Sequence, residues 1–182
     1  MQRGMVLITT LLLLIVVTLL AVSMFRSFGL DEKIAGNMRE KQRAINAAET
    51  AEQYAEWWLS NGYGFGVSTT NCTTPVALAS LYVCANTMPN PIQLPWSVGT
   101  PYAPSVPTAM PLSTAGGSNT YYYSPAFYIA YLGPAPGVSG GYVYQIDAVG
   151  YAGSPDTAAI VESTYVVQNQ TGSPTQGPQG GP

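Results

Sequence analysis

The chain has no histidine, and after Arg43 it has no lysine or arginine. All six basic residues lie in residues 1–43, where three acids leave a net charge of +3, whereas residues 44–182 carry six acids, no base and a net charge of −6. Because a segment without lysine or arginine cannot neutralise phosphates, we do not expect residues 44–182, the C-terminal part of the chain, to bind nucleic acid. That part also has no histidine, lysine or arginine and offers no nucleophile oriented by a base, so we do not expect an enzyme.

Cysteine is scarce as well, with Cys72 and Cys84 the only two in the chain. They lie in a polar region, where a disulfide between them would contribute about 3 kcal/mol by closing a loop. The alternative is two unrelated thiols. With no histidine and no Cys-x-x-Cys motif, a zinc site is implausible. We therefore expect a disulfide in an oxidising compartment, no metal and no cofactor.

Charge is absent from residues 4–25, a run of 22 residues. As a helix it would be about 33 Å long, enough to cross a hydrocarbon core of about 30 Å. The run therefore predicts a membrane-spanning helix. Two alternatives stay open: a signal peptide cleaved after Ala21-Val22-Ser23, which the length of the run disfavours, and a plain membrane anchor.

The helical pattern continues beyond the apolar run. Small and apolar residues recur at three- and four-residue steps from Leu30 to Ala55, which predicts an amphipathic extension of one helix from Met5 to about Leu59. Trp57 and Trp58 are expected to anchor the end of the helix in a head domain, and Asn61-Gly62 is expected to terminate it.

The rest of the chain predicts a small antiparallel sheet. Residues 86–119 hold seven prolines and predict an irregular loop. Three stretches are strand-like: residues 121–132, interrupted by Pro125 and so expected as a strand at a sheet edge or as two short strands; residues 142–151, which alternate two faces; and residues 158–168. The final residues, 169–182, have no apolar side chain and are expected to be disordered. The predicted fold class is α+β.

Several stretches resemble the PilX-type minor pilins of type IV pili. They are Arg3 to Ile8, the leucine-rich span through Ala21-Val22-Ser23, Leu30 to Arg39, Gln42-Arg43-Ala44, Ala47-Ala48-Glu49 and, near the end, residues 144–151 and 161–166. The resemblance implies a long helix with a β-sheet head, and the following organisation: a prepilin leader (1–4), a transmembrane and filament-core helix (5–25), an amphipathic extension (26–60), a periplasmic or extracellular head (61–168) and the tail.

The resemblance also implies a maturation pathway. A prepilin peptidase would cut after Gly4, and the new terminus, Met5, would be N-methylated. The subunit would wait in the inner membrane until the pilus assembly platform inserts it beside other minor and major pilins, with a large tip adhesin as a further partner. Lys and Arg near the span ends favour the opposite topology, but the cysteine pair and the base-free head favour N-in, C-out.

Thr9 departs from the family pattern, because most pilins carry a glutamate at the fifth mature residue. A buried carboxylate must be paired. A subunit without it loses nothing where no subunit lies above, so the expectation is a place at the filament tip or in a priming complex. For Thr9 the alternative is simple sequence variation at this position. For the function of the protein the alternatives are a type II secretion pseudopilin and a membrane-anchored adhesive or receptor domain.

Aromatic residues concentrate between residues 121 and 144. They could stack on sugars or host surfaces, or fill the sheet core and subunit interfaces; we favour packing, because aromatic-rich strands are common. The residues concerned in the first strand region are Tyr121, Tyr122, Tyr123, Phe127, Tyr128 and Tyr131.

Overall fold

The computed structural model describes residues 3–103, 114–117 and 120–168. In these residues the chain forms one long helix and a four-stranded sheet, which confirms the α+β class. The elements are α1 (Arg3–Ser60), a 3-10 turn (Leu78–Ser80), β1 (Thr100–Pro101), β2 (Ala126–Pro134), β3 (Gly141–Tyr151) and β4 (Ala158–Gln168). The chain divides into two compact units, Met1–Arg39 and Glu40–Pro182.

The first unit contains the N-terminal part of α1. By length and composition this helix is apolar enough to cross a membrane. The large apolar side chains described here are exposed, from Met5 at 76% to Val16 at 47%. Leu30, Ile34 and Met38 are also more than half exposed. The predicted apolar stripe of this part therefore has no protein covering it within the unit.

The second unit is built on an antiparallel sheet with the order β1-β2-β3-β4. β3 and β4 pair continuously from Tyr151↔Ala158 to Gly141↔Gln168, whereas the pairing of β2 shifts register between Tyr131 and Gly133. The two C-terminal strands were predicted almost to the residue. The expected strand at 121–132 instead begins at Ala126, after Pro125.

The prediction that this strand lies at the edge of the sheet was wrong. β1, a two-residue strand in the proline-rich region, pairs with its beginning through Thr100↔Phe127 and Pro101↔Ala126. Cys84 forms a further bridge to Ala130. A two-residue strand between prolines gives no recognisable alternation, so the sequence did not reveal it.

The C-terminal part of α1 packs on one face of the sheet through alanines. Ala44, Ala48, Ala51 and Ala55 are fully buried. Small side chains let the helix backbone approach the strands closely, and Gly150 in β3 lies directly beneath: a Cβ there would be 2.3 Å from the carbonyl oxygen of Ala44. The helix ends at Ser60, as Asn61-Gly62 predicted.

The core lies between α1 and the sheet. The inward side chains of β2 and β3 join Leu59, and the predicted alternation of β3 is observed, with Tyr144, Ile146 and Ala148 facing the helix. Trp58 packs against this cluster, whereas Trp57 is 45% exposed. Burying each large apolar side chain contributes about 1.5 to 3 kcal/mol. The predicted disordered tail, 169–182, lies outside the described residues, as do residues 104–113 of the proline-rich region.

Candidate functional site

The predicted processing site lies at the start of α1. Gly4 falls in the first turn of the helix, and Met5 follows it as the first described side chain, largely exposed. Nothing in the local structure tests cleavage or methylation, so both remain predictions.

Thr9, one turn further along α1, makes its hydrogen bond inside the helix. Its Oγ1 donates to the carbonyl oxygen of Val6 at 3.0 Å, and Thr10 and Thr18 form equivalent bonds to preceding carbonyls. A hydroxyl satisfied in this way costs little in apolar surroundings. At this position the chain therefore presents no charge and has no polar group that needs a neighbouring subunit.

The aromatic loop before β2 is fixed to the helix by Arg43, which also forms an ion pair within the helix. Arg43 Nη1 lies 2.7 Å from Glu40 Oε1, and Glu40 Oε2 accepts a hydrogen bond of 3.0 Å from the backbone N–H of Gly153. Arg43 also donates to the carbonyl oxygen of Thr120, and its guanidinium carbon lies 5.0 Å from the centre of the Tyr121 ring. Tyr121 thus takes part in a cation–π contact within the fold.

Phe127 and Tyr128 are at most 2% exposed, so neither can stack on an external ligand. Tyr131 is half-buried and its ring lies 6.0 Å from that of Tyr144. Tyr122 and Tyr123 form an edge-on pair, and Tyr123 contacts Tyr151 on the face of the sheet away from the helix. Of the six predicted aromatics only Tyr123, 46% exposed, offers much of its ring to solvent, which favours the packing interpretation.

Cys72 and Cys84 form a disulfide, with their Cα atoms 5.4 Å apart. Asn86 fastens one end of the loop: its Oδ1 accepts a hydrogen bond of 2.7 Å from the N–H of Cys72. The other end joins the sheet, because Cys84 donates to Ile129 O at 2.9 Å and accepts from Tyr131 N–H at 2.8 Å. The disulfide loop therefore lengthens the paired edge of β2.

A carboxyl group is buried on the face of the sheet that the helix does not cover. Asp147 is fully buried, and Gln145 Nε2 donates to its two oxygens at 3.2 and 3.3 Å. Tyr128 on β2 and Glu162 on β4 are its cross-strand partners. Burial, opposed by the Gln145 hydrogen bond and reinforced by Glu162, raises the pKa of Asp147 to about 6. Burial, together with Asp147, also raises the pKa of Tyr128, to about 12.

Replacing Asp147 with asparagine is expected to flatten the pH dependence of stability between about pH 4 and 6. Because the folded carboxyl titrates near 6 and the free one near 3.8, the folded chain holds more protons in that window, and the free energy of unfolding falls as pH rises through it. The difference between the folded and the free pKa corresponds to about 2 to 3 kcal/mol in the free energy of unfolding. Denaturant titrations of the full chain from pH 4 to 7 would measure it.

Asp156→Asn, in the exposed loop between β3 and β4, is the matched control and should leave that slope unchanged. Above pH 6 the Asp147→Asn chain should be more stable than the Asp156→Asn control. An unchanged slope in Asp147→Asn would show that another group causes the pH dependence.

Sequence reasoning missed three features of the second unit: the Glu40–Arg43 pair, the close approach at Gly150 and the burial of Asp147. The spacing of Glu40 and Arg43 at i, i+3 is a usable signal for the pair. Among the described residues, no group of three or more His, Cys, Asp or Glu side chains could hold a metal ion.

Comparison with known protein families gives a match in the N-terminal part of the chain. The family model of the PilX N-terminal domain matches residues 3–51, which are all helical here. No curated protein and no solved structure matches the chain significantly. The match covers the apolar run, the charged extension and the start of the alanine stripe. Residues 3–51 are therefore similar to the PilX N-terminal domain, which is consistent with a PilX-type minor pilin of a type IV pilus.

Proposed function

We propose that this protein is a minor pilin that a prepilin peptidase cleaves between Gly4 and Met5, and that it occupies the filament tip or a priming complex. The match to the PilX N-terminal domain over residues 3–51 carries the proposal. The uncharged helix of residues 5–25 suits both stages of such a protein's life. It can lie in the inner membrane and then exchange lipid for other apolar helices at little cost in hydrophobic burial.

The tip location is supported by Thr9. Its hydroxyl is satisfied by Val6 of the same helix, so this subunit needs no ammonium group from a subunit above it. Its own Met5 amine, once released, would be available to a carboxylate of the subunit below. Such a chain can accept a carboxylate of a neighbouring subunit at its Met5 amine, while it offers no carboxylate of its own at Thr9.

The head contributes by presenting a stable surface rather than by catalysis. It is placed outside the inner membrane in an N-in, C-out orientation, where the Cys72–Cys84 disulfide can form and persist. Partners would be the prepilin peptidase, the assembly platform, the other minor and major pilins, and a large tip adhesin.

Mass spectrometry of the protein isolated from its own cells tests the proposal. We expect an amino terminus of N-methyl-Met5. A terminus at Met24 would mean signal-peptide cleavage, and an intact Met1 would mean a permanent anchor; either result contradicts maturation as a pilin. On the same cells, immunogold labelling of the head should give one label at the filament end. Even labelling along the shaft would refute the tip location while leaving the pilin assignment in place.

A further inference from the structure

The two edges of the sheet differ. The edge at β2 is paired by β1 at Ala126 and Phe127 and by Cys84 at Ala130. At the other edge, no strand within the described residues pairs with β4. β4 is eleven residues long and pairs with β3 without a bulge. A long, regular and unpaired edge is a template for another strand.

The phase of the ladder shows which backbone groups point outward. Ala152 N–H donates to Thr157 O at 2.9 Å, closing the turn between β3 and β4. In an antiparallel ladder alternate residues bond to the same neighbour, so the even-numbered residues of β4 direct their N–H and C=O groups away from β3. Lys41 Nζ donates to the carbonyl oxygen of Ala158 at 2.9 Å, in agreement with this phase.

β4 has few of the features that protect edge strands. It contains no proline and no lysine, and five of its eleven residues are β-branched. Glu162, Thr164, Val166 and Gln168 are all exposed on the face away from the helix, with Val166 at 51%. Glu162 is the one charged side chain of the strand. An added strand would thus meet one negative charge and an apolar neighbour four residues further along.

Two occupants from this chain itself fit poorly. A second copy would bring an identical acidic edge, because residues 44–182 contain no base to pair with Glu162. Residues 169–182 include Pro174, Pro178 and Pro182, which cannot donate to a ladder. Charge complementarity instead favours a different protein whose extended segment is basic.

We propose that the outer edge of β4, from Ile160 to Gln168, docks an extended segment of a different protein as an additional strand, with a lysine or arginine of that segment opposite Glu162. Main-chain hydrogen bonds to the outward N–H and C=O groups would supply the affinity, and Glu162 would select the partner. This interaction goes beyond the proposed place in the filament and does not depend on it.

Photo-cross-linking of the full chain in its own cells tests the edge. The photoreactive residue p-benzoylphenylalanine replaces Val166, and mass spectrometry identifies the cross-linked peptide. We expect a peptide from a different protein with a lysine or arginine within a few residues of the attachment point. Adding Thr164→Pro removes an outward N–H and should lower the yield about tenfold, whereas Thr164→Ala should not.

Glu162→Lys gives a second test that leaves the backbone intact, and it should also lower the yield about tenfold. Retention of the Cys72–Cys84 disulfide and of protease resistance shows that each variant is folded. Three results would overturn the proposal: no adduct, an adduct formed only with a second copy, or a yield that Thr164→Pro leaves unchanged.

Discussion

Replacing Gly150 with valine is expected to destabilise the sheet-bearing unit by about 4 kcal/mol or more, one of the largest effects open to a single substitution in this chain. A Cβ at this position would lie 2.3 Å from Ala44 O, 2.4 Å from Ala48 N and 2.8 Å from Ala47 Cβ. The first two are backbone atoms of a regular helix and cannot move aside alone. Valine favours strands, so the loss would measure the collision and not β propensity.

Denaturant unfolding of the full chain in detergent, followed by near-ultraviolet circular dichroism of the tyrosines, would measure this loss. Gly36→Ala is the control, because a Cβ there has no atom within 4 Å and the residue lies in a helix. It should leave the unfolding of the head unchanged and favour the helix by about 1 kcal/mol. A loss below about 1 kcal/mol for Gly150→Val would mean that α1 can move away from the sheet at little cost.

The features that the sequence predicts well are those set by local pattern. The absence of charge from residues 4–25 and the Asn61-Gly62 pair gave the extent of α1 to within two residues at its start and one at its end. β3 and β4 follow from alternation and from the turn residues between them. In each case the pattern is contained in one short segment, so no distant contact was needed to predict it.

The features that the sequence predicts poorly depend on segments far apart in the chain. Asp147 alternates as an outward polar residue should, yet it is buried, because Tyr128 and the disulfide loop pack on that face of the sheet. Gly150 looks like a weak point in a strand, and only the alanine stripe of α1 explains it. For the proposed site, the family resemblance predicted Gly4, Met5 and Thr9, whereas an edge of β4 that no strand of the described residues pairs became visible only with the strand order.

The two edges of the sheet also differ in their covalent support. Cys84 lies at the paired edge, where its backbone bonds to Ile129 and Tyr131, so the disulfide stabilises that edge and the loop before it. The edge at β4 has no comparable covalent support. Loss of the disulfide should therefore weaken the fold from the β2 side first.

Replacing both cysteines with alanine is expected to lower the free energy of unfolding by about 4 kcal/mol. Closing a loop of this sequence separation, 12, contributes about 3 kcal/mol, and loss of two buried sulfur atoms adds about 1 kcal/mol. For a unit of this size the midpoint of thermal unfolding should fall by about 10 °C. Calorimetry of the full chain in detergent, with and without reductant, would measure the change.

Thr73→Ala, an exposed change beside Cys72, is the control and should leave the midpoint unchanged. Reductant should lower the midpoint of the unsubstituted chain towards that of the double variant, and should have no effect on the double variant itself. Limited proteolysis should then cut first within the loop that the disulfide closes, because without the covalent bond Cys72 is held by the Asn86 side chain and by packing. A double variant with an unchanged midpoint would show that the packing of Val76, Met88 and Tyr128 orders this loop without the covalent bond.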